Sequence, residues 1–523
     1  MEVASPRSSQ NRLGGIQMNR FDGVDAFLFD VGGTLVEEAP PGTPVRELKA
    51  ELRPGAIETL RGLAEHHRLA AVTDTAAMRE AEVRALLEPV GLDGLLEVVV
   101  TSVDAGAAKP DPASLTEALR QLGVAPERSV YVGNAPVDRD AAMAAGVEFV
   151  AVDRGVAESI ERFRHARTGP FAEACRRVAP LDEEAASAAR ARHDRLTKPA
   201  GSLGRLEELG VQLAAIAGVC PPPRPEPAAV AVFAGDHGVA AAGVTPWPQE
   251  VTAQMVANFV AGGAAINAIA RQVGASVHVV DVGVATDLTG LDGVIRHNVR
   301  RGTADLSIGP AMSVAEARVA LNTGASVAAE LVGEGNRLLV TGDMGIGNTT
   351  ASAALIAALT GENASAVTGR GTGIDDEMLA LKTRVVAEAA GRTRGWLDPV
   401  SILSEVGGLE IAALAGFIVG GVAEGVPVLV DGVITGAALL VAEALAPGAA
   451  ARCIAGHRST EPGAAAVLEQ LEITPVLDLD LRLGEGTGAC LAVPVVQAAV
   501  AVLGEMATFD QAAVSEREAE PAA

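Results

Sequence analysis

The chain has 523 residues, a formal net charge of −25, 49% apolar and only 2% aromatic residues. That length exceeds one ordinary domain, so two or three are expected. The acidic balance and scarcity of stacking rings argue against a nucleic-acid partner, and four scattered cysteines (175, 220, 453, 490) exclude a disulfide framework or a thiolate metal site.

Residues 1–20 lack the apolar core of a signal peptide and read as a flexible leader, which leaves the cytoplasm as the expected compartment. Apolar runs then alternate with helical stretches. Asp25-Ala-Phe-Leu-Phe-Asp30 reads as a buried strand followed by the glycine turn Val31-Gly-Gly-Thr-Leu-Val36. Leu69-Ala-Ala-Val72 runs into Thr73, Leu96 to Val100 leads to Lys109-Pro110, and Ser129-Val-Tyr-Val132 leads to Gly133-Asn-Ala-Pro-Val-Asp138. This is a repeating β-α unit that predicts a parallel sheet, with Asp30 at a strand's C-terminal end.

An Asp, a Thr, a Lys-Pro and a late Asp, each following a strand, resemble the haloacid dehalogenase-like hydrolases over about residues 21–155. The resemblance implies Asp30 as nucleophile, Thr73 and Lys109 holding a phosphoryl group, and Mg²⁺ held by Asp30 and Asp138. Electrostatics agrees, because a carboxylate attacks phosphorus only where cations neutralise the anionic partner. Two positions depart from the family pattern. Gly32 stands where phosphatase members carry the Asp that acts as general acid and base, and Asn134 replaces the first Asp of the metal motif. The spacings leave room only for a helix and a short loop, so a capless domain is expected, either a phosphatase or an inert structural module.

Charged residues with little strand pattern make 156–177 the expected linker. An Ala-rich amphipathic helix, the turn Lys198-Pro-Ala-Gly-Ser-Leu-Gly204 and a second helix follow, then the stiff spacer Pro221-Pro-Pro-Arg-Pro-Glu-Pro227. Strand pattern resumes with Val230-Ala-Val-Phe-Ala-Gly-Asp-His-Gly-Val239, where Asp236 and His237 read as a hydrogen-bonded loop pair before a metal site. Val277 to Val284 is a further strand. Arg337-Leu-Leu-Val340 ends in Thr341-Gly-Asp-Met-Gly-Ile-Gly-Asn-Thr-Thr350 and a helical Ala-rich segment. A strand, a glycine loop and a helix start suit an anion such as phosphate. A plain strand-to-helix turn would explain the glycines, but not the carboxylate of Asp343. Gly369-Arg-Gly-Thr-Gly373, Lys382, Pro427-Val-Leu-Val-Asp-Gly432, His457-Arg-Ser-Thr-Glu-Pro462 and Leu481-Arg-Leu-Gly-Glu-Gly-Thr-Gly488 complete a set of strand-end motifs. Converging glycine loops, a lysine and carboxylates suggest an anionic, ribose-bearing ligand. The apolar run 486–504 carries Pro494 and reads as a core segment, so no membrane span is expected.

In their order, these motifs resemble the nicotinate-nucleotide:dimethylbenzimidazole phosphoribosyltransferase family over about residues 178–509, which leaves 510–523 as a polar tail. The family moves phosphoribose from nicotinate mononucleotide to 5,6-dimethylbenzimidazole, giving α-ribazole 5'-phosphate for the cobalamin lower ligand. By this resemblance Glu485 is the general base, with Asp343 supporting it where the family usually has Glu. Gln254, Met344 and Leu483 would line the base pocket, and Gly345, Gly347, Asn348, Thr349, Lys382 and Ser459 would hold phosphate and ribose. Trp247 stands where a smaller aromatic is common. The resemblance implies no cofactor for the transferase and a homodimer. The overall expectation is a two-domain α/β protein: a capless parallel-sheet domain, then a larger Rossmann-like domain with an extra helical subdomain. The rival reading for the second domain is a protein that binds the benzimidazole or its nucleotide without turnover.

Overall fold

The computed structural model describes residues 21–515, apart from 22–23, 41–42, 76, 153–154, 167 and 372. The expected leader and residues 516–523 of the expected tail lie outside the described residues. The chain divides into two compact units, Met1–His165 and Ala166–Ala523.

In the first unit, five strands form one sheet: β1 (Ala26–Phe29), β2 (Arg68–Thr73), β3 (Val98–Thr101), β4 (Ser129–Gly133) and β5 (Glu148–Ala151). Their order is β3-β2-β1-β4-β5, and every pairing is parallel. Side chains alternate across the sheet, so Phe27 and Phe29 enter the core on one face while Ala26 and Leu28 enter the core on the other. Both faces are covered, which is why the strands read as unbroken apolar runs. The order reverses between β1 and β4, and Asp30 follows β1 there, in the crevice where open α/β sheets bind ligands.

The second unit has β6 (Ala228–Gly235), β7 (Ser276–Gly283), β8 (Val294–Arg296), β9 (Leu338–Met344), β10 (Val428–Val430) and β11 (Cys453–Ala455). Their parallel order β11-β10-β9-β6-β7-β8 is the doubly wound dinucleotide-fold order, with its reversal between β6 and β9. The core on one face is built from alanine and glycine as much as from large residues. Helix Leu409–Ala423 packs on helix Val314–Gly333 so closely that a Cβ added at Gly420 would lie 2.8 Å from Ala328 Cβ. Helices Glu183–Arg195, Arg205–Ala217 and Thr487–Glu505 meet through Ala189, Ala214 and Leu503 and form the expected helical addition. Thr487–Glu505 is long and apolar enough to cross a bilayer by length and composition, yet it packs Ala489, Val493, Val496 and Val500 into the core.

The stretch 156–177 differs from its reading as a linker. Helix Val156–Ala166 buries Val156, Ile160 and Phe163 in the first unit, while helix Pro170–Arg177 buries Phe171 and Ala174 in the second. Val156, Ile160 and Phe163 form an i, i+4, i+7 apolar stripe that the charge pattern hid; Glu158 is exposed, while Arg162 is buried and donates to Ser159 Oγ at 2.9 Å. At the other end, Thr508 caps helix Phe509–Ala512, and Arg195 pairs with Asp510 at 2.7 Å, so ordered structure extends past the expected tail boundary.

Candidate functional site

In the second unit, a cavity of about 360 Å³ opens at the C-terminal ends of the strands. One wall is the turn from β9 into helix Asn348–Thr360. β9 continues to Met344, so Asp343 sits inside the strand, buried, instead of in the loop. Gly347 starts the helix at φ 98°, a left-handed conformation that glycine adopts without strain. Asn348 and Thr349 at the helix N-terminus line the cavity, an arrangement suited to an anion. Lys382 lies behind them, its Nζ donating to Thr349 Oγ1 (2.8 Å) and Gly369 O (3.0 Å). Burial lowers its pKa to about 8, against the pull of Glu461.

A second wall is the turn Gly484-Glu485-Gly486. All three residues have positive φ (78°, 63° and 85°), and for Glu485 that conformation is strained. The turn is pressed onto β9: a Cβ at Gly342 would sit 2.7 Å from Glu485 O, and one at Gly486 would sit 2.8 Å from Thr341 O. Asp431, after β10, holds the turn from behind. Its Oδ1 accepts from Ala489 N (2.8 Å) and its Oδ2 from Gly486 N (3.3 Å), at the start of helix Thr487–Glu505.

Carboxylates are concentrated here to an unusual degree. Burial raises the Glu485 pKa, against a backbone hydrogen bond from Ile266. Burial also raises the Asp343 pKa well above its ordinary value, reinforced by Asp431, Glu410 and Glu485. Asp343 Oδ2 accepts from Asn348 Nδ2 at 3.1 Å. Asp431 is pushed up to about 7 by burial, against its backbone hydrogen bonds. Glu410 is fully buried and contacts His237 Nε2 at 2.6 Å. Burial opposes the His237 imidazolium, yet the Glu410 charge and hydrogen bond raise its pKa overall. Asp236 and His237 thus look to other partners, Asp236 accepting from Thr252 Oγ1 (2.6 Å) and Ala285 N (2.9 Å).

Of the residues singled out from sequence, Asp343, Met344, Gly345, Asn348, Thr349, Ser459, Leu483 and Glu485 line this cavity. Gly347 and Lys382 stand behind its wall. Gln254 does not join them. It is on the exposed face of helix Glu250–Val260, and Val251 and Met255 line the cavity from that helix instead. Trp247, His457, Glu461 and Arg482 are also among the lining residues. Of these four, Glu461 had no sequence signal for its contact, which is the N–H of Gly371, 2.9 Å away and 90 residues distant.

The first unit has its own cavity, about 450 Å³, at the β1/β4 reversal, and Asp30, Thr73, Lys109, Asn134 and Asp138 all line it. Lys109 Nζ bridges Asp30 Oδ1 (2.7 Å) and Asp138 Oδ1 (2.6 Å) and is almost fully buried. Burial disfavours its charge, but the two carboxylates raise its pKa above the ordinary value. Burial and the nearby Asp138 lift Asp30 to about 6 against Lys109, leaving it ionised at pH 7. Asp138, expected as a metal ligand, has both oxygens committed: Oδ1 to Lys109 and to Tyr131 OH (3.1 Å), Oδ2 to the N–H groups of Asn134 (3.2 Å) and Ala135 (3.0 Å). It anchors the lysine and the loop. Asp30 and the Asn134 amide oxygen, which also accepts from Thr34 Oγ1, remain as donors for a hard cation beside the nucleophile. Magnesium retains several waters and uses one or two carboxylates with ligand phosphate, so this set fits it with a single carboxylate.

Comparison with known proteins agrees with this division. A phosphoribosyltransferase family profile matches residues 178–514, and a haloacid dehalogenase-like hydrolase profile matches residues 44–152, a stretch that begins after Asp30. Nicotinate-nucleotide–dimethylbenzimidazole phosphoribosyltransferases of Salinispora tropica and Chloroflexus aurantiacus are 57% and 54% identical over 355 and 341 residues. Each alignment spans 65% of this chain, and 98% and 97% of the respective relative. The crystal structure of CobT from Thermus thermophilus is 48% identical, with a TM-score of 0.63 over 64% of this chain and 100% of that one. The chain is an enzyme of the nicotinate-nucleotide–dimethylbenzimidazole phosphoribosyltransferase family, joined to an N-terminal haloacid dehalogenase-like domain.

Proposed function

We propose that the second unit transfers phosphoribose from nicotinate mononucleotide to 5,6-dimethylbenzimidazole, giving α-ribazole 5'-phosphate and nicotinate in assembly of the cobalamin lower ligand. The observation that carries this reading is Glu485, held in a strained left-handed turn on a cavity wall that faces a helix N-terminus. A carboxylate of raised pKa is the better proton acceptor near neutrality. Glu485 takes the proton from one benzimidazole nitrogen while the other attacks C1' of the ribose. The C1'–N bond to nicotinate breaks from the opposite face, its electron pair neutralises the pyridinium, and configuration inverts from β to α. Met344, Met255, Val251 and Leu483 supply apolar surface for the aromatic acceptor, and the Asn348 N-terminus with Thr349, Ser459 and Lys382 receives phosphate and ribose. Asp343, bonded to Asn348, ties the end of β9 to the start of the helix that follows it.

For the first unit, the reading is a phosphatase acting on α-ribazole 5'-phosphate, the product of the second. Asp30, ionised beside Lys109, supports nucleophilic attack on phosphorus. Magnesium held by Asp30 and Asn134 would neutralise phosphoryl charge. A covalent tether raises effective concentration when the sites can meet. Incubating the full chain with both substrates, with Mg²⁺ or with chelator, tests both halves. Nicotinate and α-ribazole 5'-phosphate should form in either condition, and α-ribazole and phosphate should follow only with Mg²⁺. Failure to release nicotinate would overturn the transferase reading, and α-ribazole 5'-phosphate left intact with Mg²⁺ would overturn the phosphatase reading.

A further inference from the structure

The first unit's cavity is not bare. Val36 bridges Gly32 on one side and Leu52 on the other, and Glu37 N donates to Glu51 O (2.9 Å), so the described residues 37–40 leave the domain and 43–51 rejoin it, tied together at the base. Glu37, Glu38, Thr43, Val45, Leu48 and Lys49 from this loop line the cavity that holds Asp30 and Lys109. This short flap is not an inserted cap domain. It brings carboxylates to a site whose sequence lacks one at Gly32.

Each carboxylate on the cavity wall can be accounted for. Asp30 and Asp138 share Lys109. Asp74 accepts from Lys109 N at 3.1 Å, and Glu37 pairs with Arg53 at 3.9 Å. Glu38 makes no hydrogen bond or ion pair among the described residues, and it is exposed to solvent. Its Cγ lies 3.9 Å from where a Cβ on Gly32 would stand. The Glu38 side chain thus lies beside the space a side chain at Gly32 would occupy, on the wall of the same cavity.

We propose that Glu38 is the general acid and base of this cavity, taking the place that Gly32 leaves open; this rests on the phosphatase reading. Asp30 attacks phosphorus, the P–O bond to the alcohol breaks, and the departing oxygen takes the Glu38 proton. The carboxylate of Glu38 then removes a proton from water as its oxygen attacks the aspartyl phosphate. The P–O bond to Asp30 breaks, inorganic phosphate leaves, and both carboxyl groups are restored. Such a group is worth about 10² to 10⁴-fold in rate. Its loss matters least for a leaving group that departs without protonation.

The full chain and its Glu38→Gln variant should be compared with Mg²⁺ on two probes, α-ribazole 5'-phosphate and p-nitrophenyl phosphate. The variant should lose about 10²-fold or more on the alkyl ester. With p-nitrophenyl phosphate it should keep a burst of nitrophenol, then stall as an aspartyl phosphate visible by intact mass after acid quench. Transferase activity of the same preparation reports that the chain is folded. Gly32→Asp added to Glu38→Gln should restore turnover, because Gly32 has no positive φ and a Cβ there meets only Glu38. Wild-type turnover by Glu38→Gln, or equal loss of burst and turnover without phosphoenzyme, would overturn the role. No turnover by the unsubstituted chain on either probe would overturn the phosphatase reading, and the role with it.

Discussion

Asp431→Asn probes how the strained turn is held. The substitution preserves shape but presents an NH₂ group to one of the two backbone N–H groups that Asp431 now binds, at Ala489 and Gly486. With the Ala489 contact kept, the bond lost is the one to Gly486, next to Glu485. A left-handed non-glycine residue costs about 1–3 kcal/mol and persists only where its surroundings enforce it, so Glu485 should relax. A misplacement of about 1 Å costs ~10²-fold in rate, and kcat should fall by that order. Stability provides a second readout. The Asp431 pKa rises from 3.8 to about 7 on folding, so between these values the folded state binds more protons than the unfolded, and stability falls as pH rises. Asparagine removes that titration. The stability difference between the two proteins should therefore change by about 1.4 kcal/mol per pH unit between pH 4 and 7. Both tryptophans, Trp247 and Trp396, belong to the second unit, so their fluorescence in denaturant titrations reports on it alone. A variant with wild-type kcat and an unchanged pH dependence of stability would refute the anchoring argument.

Two further substitutions test the walls of the same cavity. Lys382, with a pKa near 8 in the folded unit against an ordinary 10.5, is bound to fewer protons folded than unfolded between those values. Stability should therefore rise with pH across that window, and Lys382→Met should flatten the rise. The KM for nicotinate mononucleotide should climb above about pH 8 as the ammonium is lost, and a pH-independent KM would separate Lys382 from phosphate binding. Burial and the neighbouring carboxylates raise the Asp343 pKa and so favour its protonated form; Asp343→Asn should therefore keep more of the rate than Asp343→Ala, which loses the bond to Asn348 and should be slower by about 10²-fold. Equal rates for Ala and wild type would reduce Asp343 to a turn residue.

The sequence was most legible where a long apolar run ends in glycine. Phe27 to Phe29 and Val230 to Gly235 are central strands buried on both faces, so their runs are unbroken and their ends mark the two sheet reversals. Among the edge strands, Val98–Thr101 was visible within the run Leu96 to Val100, and the others were not. Glu148–Ala151, Val294–Arg296 and Cys453–Ala455 are three or four residues long, too short for any periodicity to declare itself. β9 outran its apolar stretch because small residues, Thr341 and Gly342, are as buried between β6 and β10 as Val340 is. Motifs located the cavity lining, but helix phase decided its details. On helix Glu250–Val260, Val251 and Met255 share one face, and Gln254 is turned to solvent. Contacts between distant residues left no trace. His237 and Glu410 are 173 positions apart, and nothing in either neighbourhood announces the 2.6 Å contact. The flap was hidden for a different reason: its cover comes from backbone closure at Val36 and Leu52, not from an inserted domain.

The central claim is that Glu485 removes the acceptor's proton as the glycosidic bond to nicotinate breaks. Its most direct test is the turnover of Glu485→Gln with nicotinate mononucleotide and 5,6-dimethylbenzimidazole, in the presence of chelator, following nicotinate release and α-ribazole 5'-phosphate together. The amide keeps the size of the side chain and cannot accept the proton. The expected result is an intact fold, little change in substrate KM and a loss of about 10² to 10⁴-fold in kcat. A Glu485→Gln protein that turns over at the wild-type rate would contradict that role.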